Sequence, residues 1–248
     1  MLSKIALNAA AVALSALLVS AAPTQLLKRD VSVVTRCNND NQVALTWDDG
    51  PYNFEQDIAG RLAESGSKGT FFFNGNNWDC IYNHVDEIRA LHAAGHTLGN
   101  HGWSHKDMTT LSADEMHDEL WRVEEAFIRI LGLKPRLFRP PYGSYNDLLL
   151  SVLSERGYTG CIIWDQDTQD GNEVPAYVSK GVYDQVNGGD IVLGHSVYDS
   201  TANDVVPYGI NLLKSKGFEL VAVDTCLGSQ GSWPYEYMGE PQSGNWQC

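Results

Sequence analysis

The sequence predicts an α/β fold: a single distorted (β/α) barrel of about seven parallel strands. Three observations carry that reading. Short apolar runs alternate with helix-periodic segments from residue 43 to residue 223, the pattern of parallel βαβ units. The chain has 248 residues and is 43% hydrophobic, enough for one sizeable core. No Pro/Ser/Gly-rich linker divides the alternating region, and no segment recurs at a fixed period.

The elements follow in order. Val43–Trp47 is a short apolar strand, and Phe54–Ser65 has helical spacing that ends near Gly66. Thr70–Phe73 is the second strand, followed by a helix over Val85–Ala94 stopped by Gly95. Thr97–Asn100 is a brief third strand. Ser112-Ala113-Asp114-Glu115 opens a long helix with an N-cap serine and a glutamate at the third position, and Gly132 closes it. Leu137–Arg139 is a strand cut short by Pro140-Pro141. A helix over Tyr145–Arg156 is capped by Gly157. Strand Thr159–Trp164, helix Ala176–Val186, strand Ile191–Leu193, helix Asp204–Lys216 and strand Glu219–Val223 complete the alternation. The tail from Gly228, rich in Gly, Pro and aromatics, reads as a closing flap.

Residues 1–21 read as a secretory signal peptide. Lys4 precedes an uncharged Ala/Leu/Val-rich run, and Val19-Ser20-Ala21 fits the small-residue cleavage pattern. The run also approaches membrane-spanning length, but Pro23 and the small residues before it favour cleavage. Dibasic Lys28-Arg29 resembles a processing site, so 22–29 reads as a pro-segment and 30–248 as the mature domain. No other apolar stretch is long enough to span a membrane, so no membrane partner is expected after cleavage. Secretion, to the extracellular space or cell wall, permits disulfides. Cys37 and Cys226 bracket the barrel and would close it. Cys161, inside the apolar run 161–164, reads as a buried free thiol. Cys80 is then left with Cys248.

The chain carries 31 Asp+Glu against 17 Lys+Arg, a formal charge of −14. That balance argues against nucleic acid and anionic lipid as partners.

In parallel α/β barrels chemistry gathers at the C-terminal ends of the strands. The first strand ends in Asp48-Asp49-Gly50-Pro51, two adjacent carboxylates whose repulsion a metal or a cation would relieve. Neighbours along a strand point to opposite faces, so these two are expected to diverge and hold different jobs. The third ends in His101-Gly102-Trp103-Ser104-His105, two imidazoles at a spacing that one face of a helical turn brings together. With Asp49 they make a two-histidine, one-carboxylate set that leaves a catalytic zinc an open position. After the fourth strand, Arg139 is suited to orient a carboxylate, and the stiff Pro140-Pro141 leaves the Tyr142 N–H facing the site as an oxyanion donor. The fifth ends in Asp165-Gln166-Asp167-Thr168-Gln169-Asp170. The sixth ends in Leu193-Gly194-His195, where an aspartate from the neighbouring strand would make the histidine a general acid.

These five ordered motifs resemble those of the polysaccharide deacetylases, the NodB-homology carbohydrate esterases, and among them the secreted fungal chitin deacetylases. The resemblance implies hydrolysis of N-acetyl groups on N-acetylglucosamine residues of chitin or chitooligosaccharides, by a monomer using Zn2+ that Co2+ can replace. It assigns Asp48 as general base, Asp49, His101 and His105 as metal ligands, and Arg139 as the residue orienting Asp48. Tyr142 N–H would bind the oxyanion, Leu193 would line the acetyl pocket, and His195, tuned by Asp167, would be the general acid. Two positions depart from the family pattern. Gly102 replaces a common Thr or Ser and removes a hydroxyl contact. Gly171 replaces a common Trp and is expected to open the pocket on one side.

Three alternatives compete with this reading. A glycosidase using Asp48 and Asp49 needs its carboxyls about 5–9.5 Å apart across a sugar, which strand neighbours do not supply. A non-catalytic chitin-binding protein could stack sugars on Trp78, Trp103, Trp233, Tyr235, Tyr237 or Trp246 but has no need of an acid and a base. Acetylated xylan and peptidoglycan are the alternative deacetylation substrates.

Overall fold

The computed structural model describes residues 31–228 and 234–248. The expected signal peptide, the pro-segment and Trp233 lie outside the described residues.

Eleven strands and seven helices are present among the described residues. The strands are β1 Ser32–Val34, β2 Gln42–Asp48, β3 Thr70–Phe73, β4 Thr97–Asn100, β5 Leu133–Pro135, β6 Leu137–Phe138, β7 Gly160–Ile162, β8 Gln166–Asp167, β9 Ile191–His195, β10 Glu219–Val221 and β11 Tyr235–Tyr237. The helices are α1 Glu55–Glu64, α2 Val85–Ala93, α3 Ala113–Leu131, α4 Asp147–Glu155, α5 Ala176–Gln185, α6 Val206–Ser215 and α7 Val223–Cys226.

The main sheet runs β1-β7-β6-β4-β3-β2-β9-β8, and β10 pairs the start of β2. Every pairing in it is parallel. The sheet curls into a distorted (β/α) barrel with its helices outside. The β1 side meets the other half through an isolated bridge between Arg36 and Asp190, and the Arg36 guanidinium reaches the carboxylates of Asp165 at 2.6 Å and Asp190 at 2.7 Å.

Side-chain parity sorts the core. Val43, Leu45 and Trp47 pack outward with Phe71, Phe73 and Val192 beneath the helices. Ala44, Phe72, Leu137, Ile162 and Ile191 pack together on the inner side with Val223 and Cys226 of α7. Thr46 and Asp48 continue the inward row of Ala44, and Leu193 and His195 continue that of Ile191. The period of two thus delivers Asp48 and His195, which are register partners, to one barrel mouth.

The long helix α3 has the predicted capping box between Ser112 and Glu115, and Gly132 closes it in the left-handed conformation at φ 71°. Four short strands, β1, β5, β8 and β11, escape the sequence reading. β1 has three residues, β5 precedes Leu137 and pairs with the tail strand β11, and β8 has only two residues. The tail does close the barrel's flank: the Tyr235 hydroxyl accepts from Leu98 N–H at 2.6 Å, and the Trp246 and Tyr82 rings lie 5.7 Å apart.

Disulfides join Cys37 to Cys226 and Cys80 to Cys248, and Cys161 is a buried free thiol whose pKa burial pushes up to about 12. Among the described residues no helix is long and apolar enough to cross a membrane.

Candidate active site

The barrel mouth holds a cavity of about 370 Å³. Asp48, Asp49, His101, His105, Tyr142, Asp167, Leu193 and His195, all picked out from the sequence, line it. Arg139 lies one layer beneath.

Asp48 is 3% exposed and Arg139 is fully buried. The Arg139 guanidinium donates through Nη1 to Asp48 Oδ1 at 2.9 Å and to Thr46 Oγ1 at 2.7 Å. It also donates through Nε and Nη2 to the Ile162 and Ile163 carbonyls at 3.2 Å each. These fixed acceptors leave the guanidinium one orientation. Burial lowers the Arg139 pKa and the Asp48 charge opposes that, but an arginine remains charged under any working condition.

Asp49 overturns one expectation. Strand alternation would send it away from Asp48, yet its φ is 73°, left-handed, and the turn brings its carboxylate back into the same cavity. Its Oδ1 lies 3.2 Å from His105 Nε2 and 3.6 Å from His101 Nε2. His101 Nε2 is also 3.7 Å from Asp48 Oδ2. The histidines do not share a helical turn either. Gly102 and His105 both have positive φ, 79° and 55°, and this irregular loop sets the two rings 5.1 Å apart. His101 Nδ1 is hydrogen bonded to the Arg139 carbonyl at 2.7 Å, which leaves Nε2 as the lone-pair face toward Asp49.

A metal ion fits this trio. The Asp49, His101 and His105 donor atoms all lie within 4.8 Å of one another, and buried Asp49 Oδ1 has no hydrogen-bond partner. Burial would raise the Asp49 pKa, but the imidazoles of His101, His105 and His195 overcome it and hold the carboxyl at about 2. Burial and the neighbouring His101 lower the His105 pKa, favouring the neutral, ligating form.

His195 faces the cavity from β9. Its partner is Asp170, not Asp167. Asp170 Oδ1 sits 2.7 Å from His195 Nδ1, and Oδ2 accepts from His195 N–H at 2.8 Å and from the Thr201 hydroxyl at 2.7 Å. The reason is the turn after β8. Gln169 is left-handed at φ 60°, which swings the chain so that Asp170 faces β9. Asp167 meanwhile uses Oδ1 to accept from Gln169 N–H at 2.7 Å. Burial would lower the His195 pKa, but the Asp170 hydrogen bond and charge, helped by Asp49 and Asp48, raise it to about 9.

Tyr142 is left-handed at φ 62°, held in a tight turn by Pro140 and Pro141, with its ring 4.7 Å from His105 and largely exposed. Leu193 is 4% exposed and forms apolar wall. Trp164, Gln169, Asn172 and Tyr198 also line the cavity, and the sequence reading gave them no role there. The signals for them were slight: Trp164 borders the motif 165–170 and Gln169 lies within it.

Gly171 does not leave a gap. A Cβ there would lie 2.8 Å from His195 Cε1, so the glycine lets the backbone press on the imidazole, and Trp164 and Tyr198 supply aromatic wall. The hydroxyl missing at Gly102 has a counterpart in Ser104, which donates through N–H and Oγ to the buried Glu119 carboxylate at 2.8 and 2.6 Å. Of the candidate sugar-stacking aromatics, Trp103 and Tyr235 are buried and Trp78 is 44% exposed, 5.7 Å from Tyr198.

The mouth of the parallel barrel thus gathers two aspartates, two histidines and a carboxylate-paired third histidine, groups able to bind a metal and move protons in a hydrolysis. The chain belongs to the polysaccharide deacetylase family, whose profile matches residues 35–161. It is 36% identical over 207 residues to a chitin deacetylase of Pestalotiopsis sp., covering 82% of this chain and 69% of that protein. It is 35% identical over 239 residues to a chitin deacetylase of Colletotrichum lindemuthianum, covering 88% and 93%. The solved structure of the C. lindemuthianum enzyme superimposes with a TM-score of 0.78 at 33% identity, over 83% of this chain and 96% of that one. A peptidoglycan-N-acetylglucosamine deacetylase of Bacillus cereus is 32% identical over 190 residues, covering 75% and 68%. The protein is a deacetylase.

Proposed function

We propose that this chain is a secreted, monomeric, zinc-dependent chitin deacetylase that releases acetate from N-acetylglucosamine residues of chitin or its oligomers. One observation carries the reading: a cation-paired carboxylate, Asp48–Arg139, and a carboxylate-paired imidazole, His195–Asp170, line one cavity with the Asp49–His101–His105 trio. That is a base and an acid flanking a metal position.

Asp49, His101 and His105 would hold the ion. Zinc suits their oxygen and nitrogen donors, and cobalt can take its place. Bound there, it would supply Lewis-acid polarisation of the acetyl carbonyl and a more acidic water.

The chain's own groups do the rest. Asp48, oriented by Arg139, accepts a proton from the attacking water. The Tyr142 N–H donates to the developing oxyanion. His195, kept protonated by Asp170, gives a proton to the leaving nitrogen, without which an amine leaves poorly. Leu193 packs on the acetyl methyl. Trp78 and Tyr198 offer aromatic faces to the sugar.

The similarity to fungal chitin deacetylases favours chitin, and two disulfides suit an oxidising compartment reached through residues 1–21. The test is mass spectrometry of N-acetylglucosamine oligomers incubated with the protein, with and without chelator. Loss of acetyl groups that the chelator stops, and zinc restores, is expected. Release only from peptidoglycan or acetylated xylan would move the substrate. Binding to chitin without release from any acetylated glycan would leave a non-catalytic binder.

A further inference from the structure

Glu55 is fully buried at the first turn of α1, though it is a carboxylate and no part of the cavity lining. An acid at a helix N-terminus is ordinary. One enclosed beneath the barrel mouth is not, because burial disfavours its charge and raises its pKa. Its contacts explain the placement. Both carboxylate oxygens lie 3.1 Å from Tyr52 N, which donates to them, and Oε1 accepts from the Ser196 hydroxyl at 2.7 Å.

Each of those partners belongs to a different half of the site. Tyr52 closes the turn that carries Asp48 and Asp49. Ser196 follows His195 directly, and its N–H donates to the Asp48 carbonyl at 3.2 Å. The fit is close: a Cβ on Gly50 would lie 2.2 Å from Glu55 Oε1 and 2.9 Å from Ser196 Oγ. Glycine at that position is therefore required by the carboxylate beneath it. A helix cap alone would need only the Tyr52 N–H. The bond to Ser196 ties that cap to the end of β9.

We propose that Glu55 is a positioning residue: through Tyr52 N–H and Ser196 it fixes the spacing between the Asp48–Asp49 turn and His195. This rests on the proposed roles of Asp48 and His195. Proton transfer at both ends of one reaction needs that spacing held, and a misplacement of about 1 Å costs on the order of 10²-fold in rate.

The test compares Glu55→Ala, Glu55→Gln and Leu213→Ala. Leu213 lies on the buried face of α6 and lines no part of the cavity, so its truncation is a control for lost stability alone. Acetate release from chitooligosaccharides, melting temperature and hydrogen exchange are measured for each. Glu55→Ala is expected to lower kcat by about 10–100-fold with KM within about threefold, and Glu55→Gln, which keeps an acceptor for both donors, to recover most of it. Exchange in 48–53 and 194–197 should rise together in Glu55→Ala and not in Leu213→Ala. The proposal is overturned if Glu55→Ala loses no more turnover than Leu213→Ala, if Gln does no better than Ala, or if the two segments loosen independently. Wild-type protein that releases no acetate sinks the functional reading instead, and the exchange comparison still decides whether Glu55 couples the two segments.

Discussion

The two sides of the cavity solve opposite problems with the same kind of ion pair. On the β2 side a cation serves a carboxylate: fully buried Arg139 holds Asp48, whose side chain is 4% exposed. On the β9 side a carboxylate serves a cation: buried Asp170 holds His195, whose side chain is 18% exposed. Arg139 cannot lose its proton at working pH, so Asp48, the proposed base, has a fixed tuner. His195 can lose its proton, so the proposed acid carries the pH switch. The lesson is that one half of the site is set by permanent charge and the other by titration. Substitutions should separate the two.

The largest effect comes from neither side but from the trio between them. His101→Ala removes a donor from the proposed metal position. It should bring bound zinc and activity down to those of the chelated wild type, while the circular dichroism spectrum is unchanged. Full activity in metal-free His101→Ala protein would overturn the ligand assignment.

On the fixed side, Asp48→Asn should cost roughly 10²–10⁴-fold in kcat, the worth of a positioned acid–base group. It should keep zinc, because Asp49 and both histidines remain. Arg139 would stay charged and buried with only neutral acceptors, so a stability loss of about 1.5–3 kcal/mol should accompany it in denaturant unfolding. If Asp48→Asn loses its zinc while Asp49→Asn keeps both zinc and activity, the two roles are reversed.

How much of this was legible in the sequence depends on whether local pattern or tertiary geometry set the outcome. The barrel was legible because alternation is a period signal that survives short strands, and the β2, β3 and β4 runs are buried enough to be unmistakable. The residues at the strand ends were legible because their types are rare together. Backbone handedness was not. Asp49, His105, Tyr142 and Gln169 all take positive φ without being glycine. At Asp49 the bend reverses the strand rule that separated the two aspartates. At Gln169 it hands His195 to Asp170. Such conformations cost energy and persist only where surroundings enforce them, which a single sequence does not display. Glu55 was missed for a different reason: on a helix N-terminus it reads as an ordinary favourable charge, and only burial marks it.

On the switching side, Asp170→Asn tests the titration. His195 has a folded pKa raised to about 9 from an ordinary value near 6.5. A raised folded pKa means the protonated form is favoured in the fold. The stabilisation from the pair is therefore complete below about pH 6.5 and is lost as pH rises through about 9. Activity that needs protonated His195 should fail over the same upper range. Asn at 170 keeps a hydrogen-bond acceptor but no charge, so the basic limb of the pH–rate profile should move to lower pH. A basic limb unmoved by Asp170→Asn would detach it from His195.

The smallest expected effect is the sharpest test of the comparison. Family resemblance gives the tuning of His195 to Asp167, and the structure gives it to Asp170. Both carboxylates belong to one four-residue stretch, 167–170, and Asp167 lines the cavity. A long-range charge effect from Asp167 would therefore be felt by His195 even without contact. What Asp167 lacks is the hydrogen bond. Its Oδ1 is committed to Gln169 N–H, a contact that Asn reproduces through its own carbonyl oxygen. That contact also supports the left-handed Gln169 turn that delivers Asp170, so the isosteric change should leave the delivery intact. Asp167→Asn should then shift the basic limb far less than Asp170→Asn and change kcat by no more than about twofold, within the ±0.5 kcal/mol typical of a substitution that breaks no specific contact. Measuring both pH profiles on the same substrate decides the matter. If Asp167→Asn moves the limb as far as Asp170→Asn does, the acid side is tuned by the summed charge of the stretch rather than by one bonded partner, and the symmetry with Arg139–Asp48 fails.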